Sequence, residues 1–422
     1  MLFRSLAEAL TTLDAGESWL VEPRVLDPSA EGDDLWAGEE DGLGAGAPAS
    51  ACGEGDGDPA GGDCRGAGDG VGRGVRWTPG VKLGVRPGSR FHMTECFGPV
   101  LGVMRADDLD HAIRLQNMPL FGLTGGIHSL DDREVDRWLA GVEVGNAYVN
   151  RPITGAIVRR QPFGGWKRSA IGAGAKAGGP NYVLTLGTWR SPTPTPAAPV
   201  PDAGVAAGRS PSSLEASMAG DHDPAGGVDH DLERWWRDEF AVEHDPSGLR
   251  AESNVLRYRP LPHGVVLRAG SDVTDAEVRL AVAAAQVTGV RLLVSTQSPR
   301  PSIDQAAEAK VDVPPRPAVD LPPRSAIDVP PRPAVARPAA PQVDVVVETA
   351  AELAARLPGL QVDRLRIPGH VPDELRAAAH SAELALDDAP VVAHGRIELL
   401  HWLREQAISR TLHRYGNLPD RP

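Results

Sequence analysis

The sequence predicts an α/β protein made of two blocks, one over residues 1–190 and one over 231–422, in which short strands alternate with amphipathic helices. Three observations carry that expectation. Short apolar runs rich in Val and Leu recur between segments of helical periodicity, as strands and crossover helices packed in layers require. The 41% apolar fraction over 422 residues is enough for two or three cores. The 47 Gly and 39 Pro are clustered, so stretches poor in large apolar side chains divide and interrupt the blocks.

The first block opens with a helix from Phe3 to Leu13, apolar at 3, 6, 10 and 13, and a strand from Trp19 to Pro23. Residues 31–74 hold fifteen Gly and eleven acids against Arg65 and Arg73. A segment so poor in apolar surface cannot offset its ordering entropy, and is expected to be a disordered insertion between two strands of one domain. Packed sequence resumes at Trp77–Val85. Strands are then expected over 100–104, 124–128 and 142–149, and helices over 109–117 and 131–139. Tyr182, Leu184 and Leu186 alternate with other residues, which predicts a half-exposed strand over 181–189.

Residues 191–230 read as a Ser/Pro/Ala/Gly linker. His222 and His230, set among aspartates there, have a metal-binding alternative that a flexible linker makes the weaker reading; no metal is assigned. In the second block strands are expected over 264–268, 290–295 and 362–367, and helices over 275–286, 349–357, 372–379 and 396–413, which suggests a parallel sheet. An eight-residue repeat begins at Val311-Asp312-Val313-Pro314-Pro315-Arg316 and recurs at Val319 and Ile327. Proline pairs at that period favour polyproline II, so 298–342 is expected to be a spacer or disordered insertion.

The net charge of −14 comes largely from the 31–74 stretch, and the remainder is mildly acidic, which argues against nucleic acid as a partner. Three cysteines without paired spacing give neither a disulfide framework nor a zinc pattern. No run approaches 18 apolar residues, and a cytoplasmic location with no transmembrane segment is the expectation.

Two segments carry chemistry. In Thr94-Glu95-Cys96-Phe97-Gly98-Pro99-Val100 a carboxylate sits on a loop entering a strand. Glu95 there suits a pair of ribose hydroxyls and Phe97 a flat ring, with a solvated Glu and a core Phe as the plainer alternative. In Thr154-Gly155-Ala156 small side chains leave backbone N–H groups unscreened. That loop can cradle an anion such as a carboxylate, or be an ordinary tight turn. The glycines at 172, 174, 178 and 179 lack the GxxxxGK[ST] pattern of a phosphate loop. Cys96 reads better as a buried, inert thiol than as a nucleophile.

These two segments continue into Gly145–Arg151, Gln161-Pro162-Phe163-Gly164-Gly165 and Gly174–Tyr182. Taken together they resemble the closing third of an aldehyde dehydrogenase. Within that superfamily they are most similar to the L-glutamate γ-semialdehyde (pyrroline-5-carboxylate) dehydrogenase half of the bifunctional proline utilization A enzymes. Trp235-Trp236, Asn254–Pro260 and Ser409–Asn417 resemble the extra aldehyde-dehydrogenase-like domain at the C-terminus of their long forms.

The resemblance implies a partial catalytic domain over 1–190 and a second Rossmann-like domain over 231–422, the latter a structural cap. It implies NAD as cofactor, with Glu95 on the nicotinamide ribose and Phe97 lining the nicotinamide pocket. It implies that Gly155 and Ala156 anchor the carboxylate of L-glutamate γ-semialdehyde and that Phe163 packs on its chain. The family's nucleophilic cysteine, in a Gly-Gln-x-Cys setting, and its general-base glutamate have no counterpart in these residues. The expectations are therefore an N-terminally truncated chain, inactive by itself, that needs a chain carrying the missing half; homo-oligomers remain open. The alternative is a non-catalytic remnant or structural module.

Overall fold

The structure is a computed structural model that describes residues 2–26, 76–158, 160–170, 174–191, 227–308 and 342–413. The expectations for 31–74, for most of the linker and of the proline repeat, and for Cys52, Cys64 and His222 lie outside the described residues. The chain forms two compact units, 1–107 and 108–422.

In the first unit α1 (Leu2–Thr11) and β1 (Ser18–Val21) precede β2 (Val25–Leu26), β3 (Arg76–Trp77) and β4 (Gly80–Leu83). A short α2 (Arg90–Met93) and β5 (Val100–Val103) follow. β1 runs antiparallel to β4, with Ser18 opposite Leu83, and β2 antiparallel to β3, with Val25 opposite Trp77. The strands on either side of the acidic stretch therefore pair with each other, and β5 adds parallel to β4. Lys82 on β4 is 2% exposed. Its ammonium donates to Thr12 O at 2.6 Å and lies over the Trp19 and Phe91 rings at 5.1 and 4.7 Å, which satisfies the buried charge.

The second unit begins with α3 (Leu109–Asn117), β6 (Phe121–Gly122), β7 (Thr124–Ile127), α4 (Asp132–Gly141), β8 (Asn146–Val149) and β9 (Trp166–Lys167). Asp108 and Asp131 cap the two helices, accepting from His111 N at 2.7 Å and Arg133 N at 2.8 Å. From 227 onward come α5 (Gly227–Trp235), a π-helical turn (Trp236–Phe240), β10 (Glu252–Pro260), β11 (Val265–Ala269), α6 (Asp275–Thr288) and β12 (Leu292–Thr296). They are followed by α7 (Pro301–Glu308), β13 (Val343–Val347), α8 (Ala350–Arg356), β14 (Arg364–Arg366), α9 (Asp373–Ser381), β15 (Ala385–Asp387), α10 (Gly395–Leu400) and β16 (Leu403–Thr411).

Five of these strands form a parallel sheet in the order β13-β12-β11-β14-β15, reversing direction of growth at β11/β14 as a doubly wound Rossmann-like sheet does. Its central strands β11 and β12 are buried at every position, as strands with helices on both faces are. α6 and α8 start in full capping boxes, Thr274 with Glu277 and Thr349 with Glu352. The last strand leaves this sheet. β16 pairs antiparallel with β10 from Leu403 to Thr411 and parallel with β8, giving a second sheet ordered β10-β16-β8-β7. Ile408 of β16 enters the core formed by Ile113, Val135, Trp138 and Val149. The two sequence blocks thus share a sheet and a core inside one unit.

Four expectations are corrected. Residues 182–186 form a 3-10 helix, not a strand, with Val183 and Leu186 72% and 75% exposed; alternation without a neighbouring strand leaves no ladder to join. The helix expected over 396–413 stops at Leu400, and Leu403–Thr411 is the inserted strand. α7 lies inside the segment expected to be a spacer, its Ile303 fully buried against the α6 core. The segment expected to be linker already turns helical at Gly227.

Candidate functional site

Glu95 and Phe97 lie in the first unit, on the turn between α2 and β5. Both side chains are exposed, Phe97 by 65%, and Phe97 adopts φ 45°, a left-handed conformation that a non-glycine residue rarely takes. The Glu95 carboxylate belongs to none of the ion pairs found among the described residues, so both oxygens are open to hydroxyl donors. An acceptor carboxylate and an unpacked ring two residues apart are the kind of groups that could meet the hydroxyl donors of a ribose and the face of a flat ring.

Cys96 between them is half-buried, and burial pushes its thiol pKa up. The space beside it, lined by Thr12, Lys82, Arg90 and Phe91, measures about 20 Å³, room for about one water and not for a substrate.

Gly155, Ala156 and Phe163, the residues expected to hold a carboxylated substrate, lie in the second unit, beyond β8. Just before this strand only glycine fits at 145, because the backbone of Gly164 passes so close that a Cβ would sit 2.0 Å from its carbonyl oxygen. Asn146, 2% exposed, donates to Pro162 O at 3.0 Å and accepts from Gly164 N at 3.1 Å, joining β8 to the segment after the loop. Asn150 leaves the strand at φ 56° and locks that turn through Ser129, accepting from its N–H at 3.0 Å and donating to its carbonyl at 2.8 Å.

The loop that follows is exposed from Pro152 to Val158. Gly155 takes φ 111°, open to glycine at little cost, and its carbonyl accepts from the Tyr148 hydroxyl at 2.8 Å. Burial pushes Tyr148's pKa up, which keeps it a donor. Among the described residues no acceptor is bonded to the Gly155 or Ala156 amide, so both N–H groups are available to an anion.

The stem of the loop closes where Ile157 and Gln161 pair, N–H to carbonyl in both directions at 3.2 and 2.6 Å. Phe163 is half-buried two residues on and pairs with Ala177 at 3.0 and 2.9 Å, so the ring stands on fixed backbone. Gly155, Ala156 and Phe163 therefore belong to one strapped segment.

Several residues that build this site were not picked out from the sequence. Lys176 is fully buried and donates to Asn146 Oδ1 at 3.1 Å and to the Gly164 carbonyl. Glu405 on β16 accepts from Lys176 N at 3.4 Å and from Asn181 Nδ2 at 3.0 Å. Glu252, at the start of β10, contacts both Arg151 and Arg160. No local pattern announces these residues, because the partners just named lie 12 to 229 positions away. Beside Glu405 opens a cavity of about 780 Å³, lined by Asn181, Tyr258, Asp387 and His401 among others. Gly155, Ala156 and Phe163 do not line it. Among the described residues there is no cluster of three metal-ligating side chains, and no helix is long and apolar enough to cross a membrane.

Comparison with known proteins places these segments. The model of the aldehyde dehydrogenase family matches residues 50–187. The chain is similar to the 1-pyrroline-5-carboxylate dehydrogenase of Geobacillus sp. (strain WCH70), 42% identical over 106 residues, which is 25% of this chain and 20% of that protein. Among solved structures it is similar to proline utilization A (PutA) from Corynebacterium freiburgense, with 36% identity and a TM-score of 0.60 over 98% of this chain and 31% of that one. It is also similar to a 1-pyrroline-5-carboxylate dehydrogenase from Thermus with bound NAD, with 39% identity over 28% of this chain and 22% of that one, at a TM-score of 0.25. The chain thus spans about a fifth of the length of the curated relatives it matches. Residues 50–187 thus match an aldehyde dehydrogenase family domain.

Proposed function

We propose that this chain serves the NAD-dependent oxidation of L-glutamate γ-semialdehyde to glutamate, the second step of proline degradation, and supplies its cofactor-ribose and substrate-anchor parts in the cytoplasm. The observation that carries this reading is the strapped loop with two unbonded amides at Gly155 and Ala156, beside a half-buried aromatic ring at Phe163. That arrangement suits an aldehyde bearing a carboxylate better than a plain alkyl aldehyde. Glu95 would hold the nicotinamide ribose through both hydroxyls, and Phe97 would wall the ring.

Bound NAD would accept the hydride of the aldehyde. The nucleophilic thiolate and the general base are not assigned to any residue of this chain, since no Gly-Gln-x-Cys segment occurs in it and the Cys96 surroundings do not suit attack. A partner chain, or a further part of a longer chain, would supply them.

Saturation-transfer NMR with NAD tests the cofactor half. The expected result is transfer to the nicotinamide and adjoining ribose protons, little to the adenine, and loss of the signal in Glu95→Ala. Equal transfer to all protons, unaffected by that change, would end the Glu95 assignment. Turnover of pyrroline-5-carboxylate by the purified chain that survives Cys96→Ala would show that a catalytic group has been overlooked.

A further inference from the structure

We infer that Glu252 is the positioning residue of the anchor loop: its carboxylate ties together the two arginines that bracket the loop, and so sets where the Gly155 and Ala156 amides point. The inference rests on the carboxylate-anchor reading given above, and adds a residue 92 positions beyond the loop.

Arg151 stands just before the exposed loop and Arg160 just after it. Arg160 grips Glu252 with two bonds, Nε donating to Oε2 at 3.2 Å and Nη2 donating to Oε1, in the fork-to-carboxylate geometry that is directionally strict. Arg151 Nη1 donates to Oε2 at 3.3 Å. All three side chains are at most about a third exposed, so the contact is shielded from water more than a surface pair would be.

Arg151 is held from its other sides as well. Its guanidinium lies 5.9 Å from the Tyr148 ring, and Gln161, with its amide oxygen turned toward it, accepts from Nη1 and Nη2 at 2.8 and 3.0 Å. Tyr148 in turn bonds the Gly155 carbonyl, and Gln161 pairs with Ile157. One carboxylate thus closes a ring of contacts that passes through both ends and the middle of the loop. Asn254 Nδ2 donates to the same carboxylate at 3.3 Å and braces it on β10.

The physical consequence is preorganisation. An exposed loop with a left-handed glycine has many backbone states, and binding would have to select among them; clamping both ends removes that cost before a ligand arrives. Glu252 also neutralises two cations that would otherwise offer an incoming carboxylate a competing seat. The clamp belongs to β10, so the C-terminal part of the chain acts on the anchor loop itself.

The test uses the full 422-residue chain, hydrogen exchange of the loop amides, and titration with L-glutamate. In Glu252→Gln the amides of 154–158 should exchange about tenfold faster while those of β8 and β16 stay unchanged, and the Kd for L-glutamate should rise about tenfold. Glu252→Asp, which keeps the charge, should recover part of both. Unchanged loop exchange, or tighter L-glutamate binding in Glu252→Gln, would overturn the inference, the latter by showing the arginines to be the real seat. So would equal acceleration in the loop, β8 and β16, the mark of a merely structural residue. Loop acceleration in a chain whose wild type does not bind L-glutamate would uphold the clamp and remove the carboxylate-anchor reading instead.

Discussion

Lys176 and Glu405 show what the buried polar groups of this fold demand. Lys176 is fully buried and Glu405 5% exposed, and both charges face a low-polarity interior. Burial pushes Lys176 down to about 7 and Glu405 upward, while each partner's charge opposes the other's shift. Removing Glu405 leaves the buried Asn181 amide and the Lys176 backbone N–H without that acceptor, so Glu405→Ala should cost about 1–3 kcal/mol in urea denaturation. A double change, Lys176→Met with Glu405→Leu, should cost less than that single one. If the double change costs as much as the sum of both singles, the two residues do not act as a pair.

Glu252 gives a prediction with a definite sign. Arg160 holds its carboxyl below the usual carboxylate range, with Asn254 and Arg151 adding to the effect and partial burial opposing it. A depressed folded-state pKa means the stabilisation is fully present above the unfolded value of about 4.3 and is lost as pH falls through the folded one. The stability gap between wild type and Glu252→Gln should therefore be flat between about pH 6 and 8 and shrink below about pH 4. A gap that widens on acidification would contradict the clamp.

At the scale of elements, β10 does more than pair with β16. Arg257 Nη2 and Arg259 Nη1 donate to the Leu139 carbonyl at 2.6 and 2.9 Å, and Arg259 Nη2 donates to Ala140 O at 2.8 Å. These carbonyls end α4, where a helix leaves acceptors unsatisfied and carries partial negative charge. Arg259→Ala should fray that last turn and lower stability by about 1 kcal/mol, with faster exchange at the Gly141 and Val142 amides. No change at those amides would leave Arg259 a surface residue. Elements with local signals were legible in the sequence: α3 spans Leu109–Asn117 as expected, and Asp131, Thr274 and Thr349 begin helices where short acceptor side chains precede an apolar period. β16 was not legible. Its residues Leu403, Ala407 and Ile408 fit a helical spacing as well as a strand, and only the gap between β8 and β10 decides the matter. The loop after β8 followed the same division: Gly155 and Ala156 stood out by residue type and Phe163 through the family resemblance, whereas Glu252 and Lys176 became visible only through contacts made in the fold.

For the second unit as a whole, the inserted strand makes folding of the 108–190 segment depend on residues more than two hundred positions later. β8 is buried at all four positions, and β16 covers its edge, with Ala407 N donating to Gly145 O and Gln406 Nε2 donating to Val144 O, both at 2.9 Å. Trp166, 4% exposed, gives its Nε1–H to Glu405 O at 2.7 Å, and Arg404 lies 3.7 Å from its ring. Without β16 an apolar strand edge and an unpaired indole would face water, a ready template for association. A fragment ending at residue 190 should therefore be aggregated or lack cooperative unfolding, as read by size-exclusion chromatography and circular dichroism. Adding a separate 191–422 fragment should restore a monomeric complex, since the pairing is between whole strands and not through the connection. A 1–190 fragment that stays monomeric and unfolds cooperatively would show that β8 needs no such cover. The same experiment bears on function, because the loop that carries Gly155 leaves directly from the end of β8, and its geometry can be no better fixed than the strand that bears it.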